Sequence, residues 1–403
     1  MTDRRDLQTF HPFARLNRLL DGIPPGRSGI DLPGMAADAP ILLSVGEPQN
    51  QPPAFVAEEL ARAAAGWSRY PPPRGTLDYA ETCVAWLARR YGPAAAALVD
   101  AKTMCLPLAG TREGLFFAAL ATTPAHGQPP PAILMPNPFY HVYAGAAAAA
   151  GAEAICVPAT RESGFLPDYG ALPPEVLART TLCYLCSPAN PQGAVASLAQ
   201  LQDLIALARR YDFTVAFDEC YAEIYTETPP PGALQAAAAL GGGLDNMLVF
   251  HSLSKRSSAP GLRCGFVAGG QTPVLALEGL LRVGSAGVPL PTLAAGTRLW
   301  QEESHVQANR ARYQANFAVA ERLLGNRFGF RTPAGGFFLW LDVGDGEAAT
   351  LALWREAGIK VVPGAYMCAG SGAGNPGAPY VRIALVYDAA LTEAALTRLG
   401  EIL

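Results

Sequence analysis

Charge is scarce in this chain: Asp, Glu, Lys and Arg make up 16% of its 403 residues and balance to a formal −4. No basic tract occurs, so the electrostatic footprint of a nucleic-acid binder is missing. No apolar stretch of about 20 residues escapes interruption by Pro, Gly or a charge, and no membrane-spanning helix is expected. The slightly positive mean hydropathy comes from alanine runs such as residues 146–150. The first residues, Met1-Thr2-Asp3-Arg4-Arg5, carry charge with no hydrophobic region behind them. That pattern argues against a signal peptide and makes the cytoplasm the expected location. Cysteine is present but unpatterned. Most of the eight cysteines sit within apolar runs and read as buried hydrophobes in a reducing compartment. Cys183 and Cys186 have the spacing of a metal or redox pair. On a strand, however, positions i and i+3 point to opposite faces, and no second Cys or His pair accompanies them. No metal site is expected.

What is present is a large apolar fraction, 50%, in a chain long enough for about two domains. The middle of the chain alternates strand-like and helix-like stretches. Residues 133–135, 182–185, 213–217, 247–250 and 265–268 read as strands, and residues 198–210 between two of them as a helix. Such alternation predicts an α/β fold with a mostly parallel sheet covered on both faces. Ligands of such sheets bind at the carboxyl ends of the strands. The triple-proline runs beginning at 71, 129 and 229 read as rigid loops.

The most informative stretch is His251-Ser252-Leu253-Ser254-Lys255, with Arg263 eight positions on. A lysine amine can condense with an aldehyde cofactor while serine hydroxyls and a guanidinium hold the cofactor's phosphate. The plain alternative is a surface loop with one solvated lysine. Upstream, an apolar strand ends in Asp218-Glu219-Cys220-Tyr221. A carboxylate there can pair with a pyridinium nitrogen, and Tyr221 can reach the ring's phenolic oxygen. As a plain alternative, Asp218 is a helix N-cap. Asn190-Pro191-Gln192-Gly193 reads as a turn, from which the Asn190 amide can donate to the same oxygen.

Together these residues resemble the aminotransferase class I/II family of fold-type I pyridoxal 5'-phosphate (PLP) enzymes. The resemblance covers nearly the whole chain. It runs from Gly46-Glu47-Pro48 through Tyr70, Gly110-Thr111-Arg112-Glu113, Asn137-Pro138-Phe139-Tyr140, Asn190, Asp218, Tyr221, Lys255 and Arg263 to Tyr380-Val381-Arg382-Ile383. Several longer phrases are similar to proteobacterial succinyldiaminopimelate aminotransferases, among them residues 43–48, 68–71, 136–140, 218–221, 250–257 and 381–385. Gln192, where the family often has Thr, and the run Pro71-Pro72-Pro73 depart from that pattern. The resemblance implies a seven-stranded-type sheet in a large PLP domain at 55–288, with a smaller α+β domain joining 1–54 to 289–403.

The resemblance also implies roles. Lys255 carries the cofactor and moves the substrate's Cα proton. A free lysine, pKa ~10.4, is a poor base at neutral pH, so its surroundings should lower that value. Gly110, Thr111 and Arg112 open a helical run and offer N–H groups to the phosphate, with Ser252, Ser254 and Arg263 beside them. Tyr140 stacks on the ring. Arg382, inside an apolar run, needs an anionic partner. A structural acid would serve, but the resemblance favours the substrate's α-carboxylate, with Gly46 and Asn190 nearby. Tyr70 reaches the phosphate of a second subunit, which implies a homodimer. The expected reaction moves an amino group from N-succinyl-LL-2,6-diaminopimelate to 2-oxoglutarate, yielding glutamate. Arg74 and Arg282 are candidates for a distal carboxylate, though each is also an ordinary surface arginine. No role attaches to His141 or His251. Rival readings are an alanine- or aspartate-type aminotransferase, a PLP lyase acting at Cβ, and the aminotransferase-like module of a regulator. The last needs an added DNA-binding domain, for which the extent of the resemblance leaves no expected room.

Overall fold

Apolar runs without polar alternation become strands buried on both faces. The computed structural model describes residues 11–30, 32, 39–124 and 129–403, so the charged first residues lie outside it. In chain order the strands are β1 (Ile41–Leu42), β2 (Cys105–Leu108), β3 (Ala132–Asn137), β4 (Glu153–Pro158), β5 (Thr180–Cys186) and β6 (Thr214–Asp218). They continue with β7 (Met247–Ser252), β8 (Gly265–Gly269), β9 (Phe338–Asp342), β10 (Ile359–Lys360), β11 (Val362–Pro363) and β12 (Tyr380–Ala384). Seven form the main sheet, in the order β2-β8-β7-β6-β5-β3-β4. Within it β8 alone runs against its neighbours, and the remaining pairs are parallel. All five expected strands are there, in β3, β5, β6, β7 and β8, with Phe213 just ahead of its strand. The two edge strands were not expected. β4 is largely exposed and β2 contains Pro107, so neither carries the apolar signature of the centre.

Helices cover both faces. On one, Leu77–Tyr91, Leu198–Tyr211, Ala233–Leu240 and Leu290–Gln301 bury Trp86, Ile205, Leu234 and Trp300 against the sheet. On the other, Thr111–Thr122, His141–Ala150 and Gln271–Gly284 bury Leu115, Tyr143 and Leu277. Local chemistry sets their ends. Ser197 and Gln200 form a reciprocal capping box before Leu198–Tyr211, and Asp212 ends that helix in the left-handed conformation.

A second core forms around the antiparallel sheet β11-β12-β9 and the helices Ser304–Leu324, Gly346–Ala357 and Ala389–Ile402. Here β1, from the start of the chain, pairs with β10, from its last third. We propose two bodies on this basis, with one adjustment to the expected limits. Leu290–Gln301 packs on Phe55–Arg62 and Leu77–Tyr91, and its Leu293, Leu299 and Trp300 belong to the larger core, so the boundary is best put after Gln301 rather than at 288.

The parallel register aligns the chemistry. β5 ends on Cys186, β6 on Asp218 and β7 on Ser252, with Cys186 beside Asp218 and Asp218 beside Phe250.

Candidate active site

The carboxyl ends of these strands open into a cleft of about 460 Å³. Gly46, Thr111, Arg112, Tyr140, Asn190, Asp218, Tyr221, Ser252, Ser254, Lys255, Arg263 and Arg382 all line it. Residues far apart in sequence therefore share one space.

Lys255 lies in the short helix Leu253–Arg256 that follows β7, and Asn309 Nδ2 donates to its carbonyl at 2.9 Å. Its Nζ donates to the Gly46 carbonyl at 2.5 Å. Burial lowers the amine from 10.5 to about 8, with Arg382 and Arg112 adding to the shift and Cys220 and Glu47 opposing it. Asp218 is 3% exposed. Burial raises its carboxyl above the ordinary value, against the hydrogen bonds it accepts. Tyr143 donates to its Oδ2 at 2.8 Å and the Cys220 N–H to its Oδ1 at 3.3 Å. Among the described residues no cation pairs with it.

Arg382 is also nearly enclosed. One Nη donates to Asn190 Oδ1 at 3.1 Å and the other to the Ser44 carbonyl at 2.6 Å, while buried Nε has no partner. Burial lowers its pKa to about 10. No acidic side chain of the described residues pairs with it, so the structural-acid alternative is not what the fold uses.

At the other end of the cleft, Gly110 precedes the helix Thr111–Thr122 with φ +84°. A Cβ there would collide with the Arg263 guanidinium, which bonds the carbonyls of Ala109 and Pro260 at 2.8 Å each. Glycine lets the helix start and the arginine approach each other. Ser252 donates to Ser254 Oγ at 2.9 Å, and Arg112 Nε donates to the Tyr140 hydroxyl at 2.9 Å. Free helix N–H groups, two hydroxyls and two guanidinium groups gather here, a donor set suited to a phosphate.

A family model described as "Aminotransferase class I and II" matches residues 39–402. The chain belongs to that family. It is 30% identical to an LL-diaminopimelate aminotransferase from Moorella thermoacetica over 100% of this chain and 99% of that one. A solved aminotransferase from Neisseria meningitidis superposes with a TM-score of 0.88 at 36% identity, covering 97% of this chain and 96% of the other. A probable N-succinyldiaminopimelate aminotransferase from Thermus thermophilus superposes with a TM-score of 0.80 at 26% identity, covering 91% and 95%. The protein is thus a PLP-dependent transaminase of amino acids and 2-oxo acids, on the expected fold. The residues present fit the cofactor. A buried carboxylate without a counter-ion suits a protonated ring nitrogen, a lowered lysine amine suits the aldehyde, and the donor cluster suits the phosphate.

Tyr70 is not brought into its own chain's cleft and is 99% exposed. Arg74 and Arg282 do not line the cleft either. Both bind Glu278, Arg282 Nη2 at 2.7 Å. His251 packs under Trp86 and Phe266, and burial drives it down to about 3. Its neighbour Glu219, pushed up to about 7 by burial, accepts from Tyr91 at 2.7 Å. Cys183 is buried in the larger core and Cys186 faces the cleft, as strand alternation requires; all eight cysteines are free. Among the described residues no cluster is placed to hold a metal, and no helix is long and apolar enough to cross a membrane.

The sequence reading missed Phe13, Val45, Phe338 and Met367 on the cleft wall, and Tyr143 behind Asp218. The helix His141–Ala150 that carries Tyr143 is apolar nearly all round, so its pattern marked no face for that residue.

Proposed function

We propose that this transaminase works on N-succinyl-LL-2,6-diaminopimelate with 2-oxoglutarate, as a cytoplasmic homodimer. The observation that carries an amino-acid substrate is Arg382, buried without an acid and lining the same cleft as Lys255. An α-carboxylate supplies the missing anion. The diaminopimelate assignment draws on the phrases of the sequence and on the name of the Thermus relative. A second reading, direct use of LL-diaminopimelate, is favoured by the Moorella relative, which matches along its full length.

When bound, PLP supplies an electron sink for the charge left on the substrate's Cα. Arg382 grips the α-carboxylate, with Asn190 holding the guanidinium in place. Lys255 Nζ takes the Cα proton and later returns one. With a pKa of about 8, part of it is neutral near physiological pH, which a general base requires. Asp218 keeps a proton on the ring nitrogen. Asn190 and Tyr221 would donate to the ring oxygen, and Tyr140 would pack against the ring. Gly110, Thr111, Arg112, Ser252, Ser254 and Arg263 hold the phosphate, joined by Tyr70 of a second subunit.

The test is the cofactor's visible absorption on purified holoenzyme. N-succinyl-LL-diaminopimelate and glutamate should convert it, and alanine far less. Conversion by LL-diaminopimelate but not by its succinyl form selects the second reading. Conversion by ordinary amino acids alone rejects both.

A further inference from the structure

The cleft holds more positive than negative side chains: Lys255, Arg112, Arg263 and Arg382 against Asp218 and Glu47. His141 lines it too, and nothing above uses it. Its ring stands 4.8 Å from that of His11 and 4.7 Å from that of Tyr140. His11 caps the helix Pro12–Leu19, its Nδ1 accepting the Ala14 N–H at 3.3 Å. That acceptor role leaves the proton of a neutral His11 ring on Nε2. The next two residues, Pro12 and Phe13, line the cleft, and the Phe13 ring centre is 5.8 Å from the Arg382 guanidinium carbon. His141 lines the cleft itself, whereas His11 stands behind it in an adjoining groove with Arg112 and Arg263.

Among the described residues the His141 ring has no hydrogen-bond partner. Burial, then the neighbouring His11, Arg112 and Arg382, push it down to about 3, so it is neutral and keeps one N–H to donate. A free donor in a cation-rich, half-enclosed space suits an anion, and a hydrogen bond to an ionised acceptor is stronger than a neutral one.

We infer that His141 donates to the distal carboxylate of dicarboxylic substrates, the anionic group left over once Arg382 takes the α-carboxylate and the cluster around Gly110 and Arg263 takes the phosphate, and so selects glutamate and 2-oxoglutarate over alanine and pyruvate. The inference rests on the transaminase assignment and is independent of the diaminopimelate donor.

His141→Phe in the holoenzyme keeps a ring against His11 and Tyr140 but removes the donor. Its kcat/KM for glutamate should fall about tenfold or more while that for alanine stays within about twofold. His141→Gln, which retains an N–H donor, should recover part of the loss. Calorimetry gives a readout without turnover. Wild-type holoenzyme should bind glutarate more tightly than butyrate, and His141→Phe should lose that preference. Equal losses for glutamate and alanine, or an unchanged glutarate preference, overturn the inference. Failure with N-succinyl-LL-diaminopimelate in the absorption test leaves it standing, so the two ideas fail separately.

Discussion

Tyr143 donates its hydroxyl to Asp218 Oδ2 across 2.8 Å, while its ring stacks on Tyr184 at a centroid distance of 4.3 Å. The contact opposes the upward shift that burial imposes on Asp218. Tyr143→Phe keeps the stack and removes the donor, so the carboxyl should titrate higher still. The acid limb of the kcat profile should move to higher pH, with activity recovering as pH rises through the Asp218 titration. A lost hydrogen bond to a charged group is worth roughly 1.5–3 kcal/mol, about tenfold or more in rate. An unmoved acid limb would remove Tyr143 from the site's working parts.

Lys255→Ala should abolish turnover yet leave PLP bound noncovalently, because the phosphate donors and Asp218 remain. Intact-mass analysis should find no covalent cofactor, and dialysis should strip it. Full activity in this variant would falsify the assignment of Lys255.

The lowered Lys255 amine can be titrated without cofactor. The chain has three lysines, Lys102, Lys255 and Lys360. In cofactor-free protein, acetylation of Lys255 followed by mass spectrometry should rise through about pH 8, well below the ~10.4 of a free lysine. With a folded value below the unfolded one, Lys255 binds fewer protons when folded, so its contribution to stability grows between about 8 and ~10.4 and is lost as pH falls through the lower value. A reactivity midpoint near that of free lysine would contradict the burial argument.

Arg382→Lys keeps the charge but not the planar fork, and a lysine cannot span Asn190 and the Ser44 carbonyl while gripping a carboxylate. We expect kcat/KM to fall about 100-fold for every amino acid alike, in keeping with a lost charge-assisted pair. A loss confined to dicarboxylic substrates would move Arg382 to the distal end of the site.

Tyr70 is 99% exposed in the single chain, near the half-exposed Trp67. If a second subunit covers it, sedimentation should give a dimer, and Tyr70→Phe should release PLP several times faster than wild type without changing the fold. A monomer with full activity would exclude the shared site.

Much of this architecture was legible. The central strands are apolar from end to end, because parallel strands are buried on both faces, and runs of that kind stand out in a sequence. Edge strands β2 and β4 did not stand out, since one is exposed and the other carries a proline. Tyr143 was hidden for a different reason. The helix His141–Ala150 is apolar nearly all round, so its pattern does not say which side faces Asp218. Arg74 and Arg282 looked free to bind a substrate, yet both are held by Glu278.

The sequence by itself determined where the candidate groups fall along the chain: a lysine and an asparagine just past strand ends, an acid on the last residue of a strand, and an arginine inside an apolar run. These follow from local rules of strand length, turn residues and the cost of burying charge. Only the tertiary structure decided which charges are spoken for. Among the described residues Arg382 and Asp218 enter the cleft without a counter-charge, while Arg74 and Arg282 share one. A charge finds its partner through space, across elements that the sequence alone does not bring together.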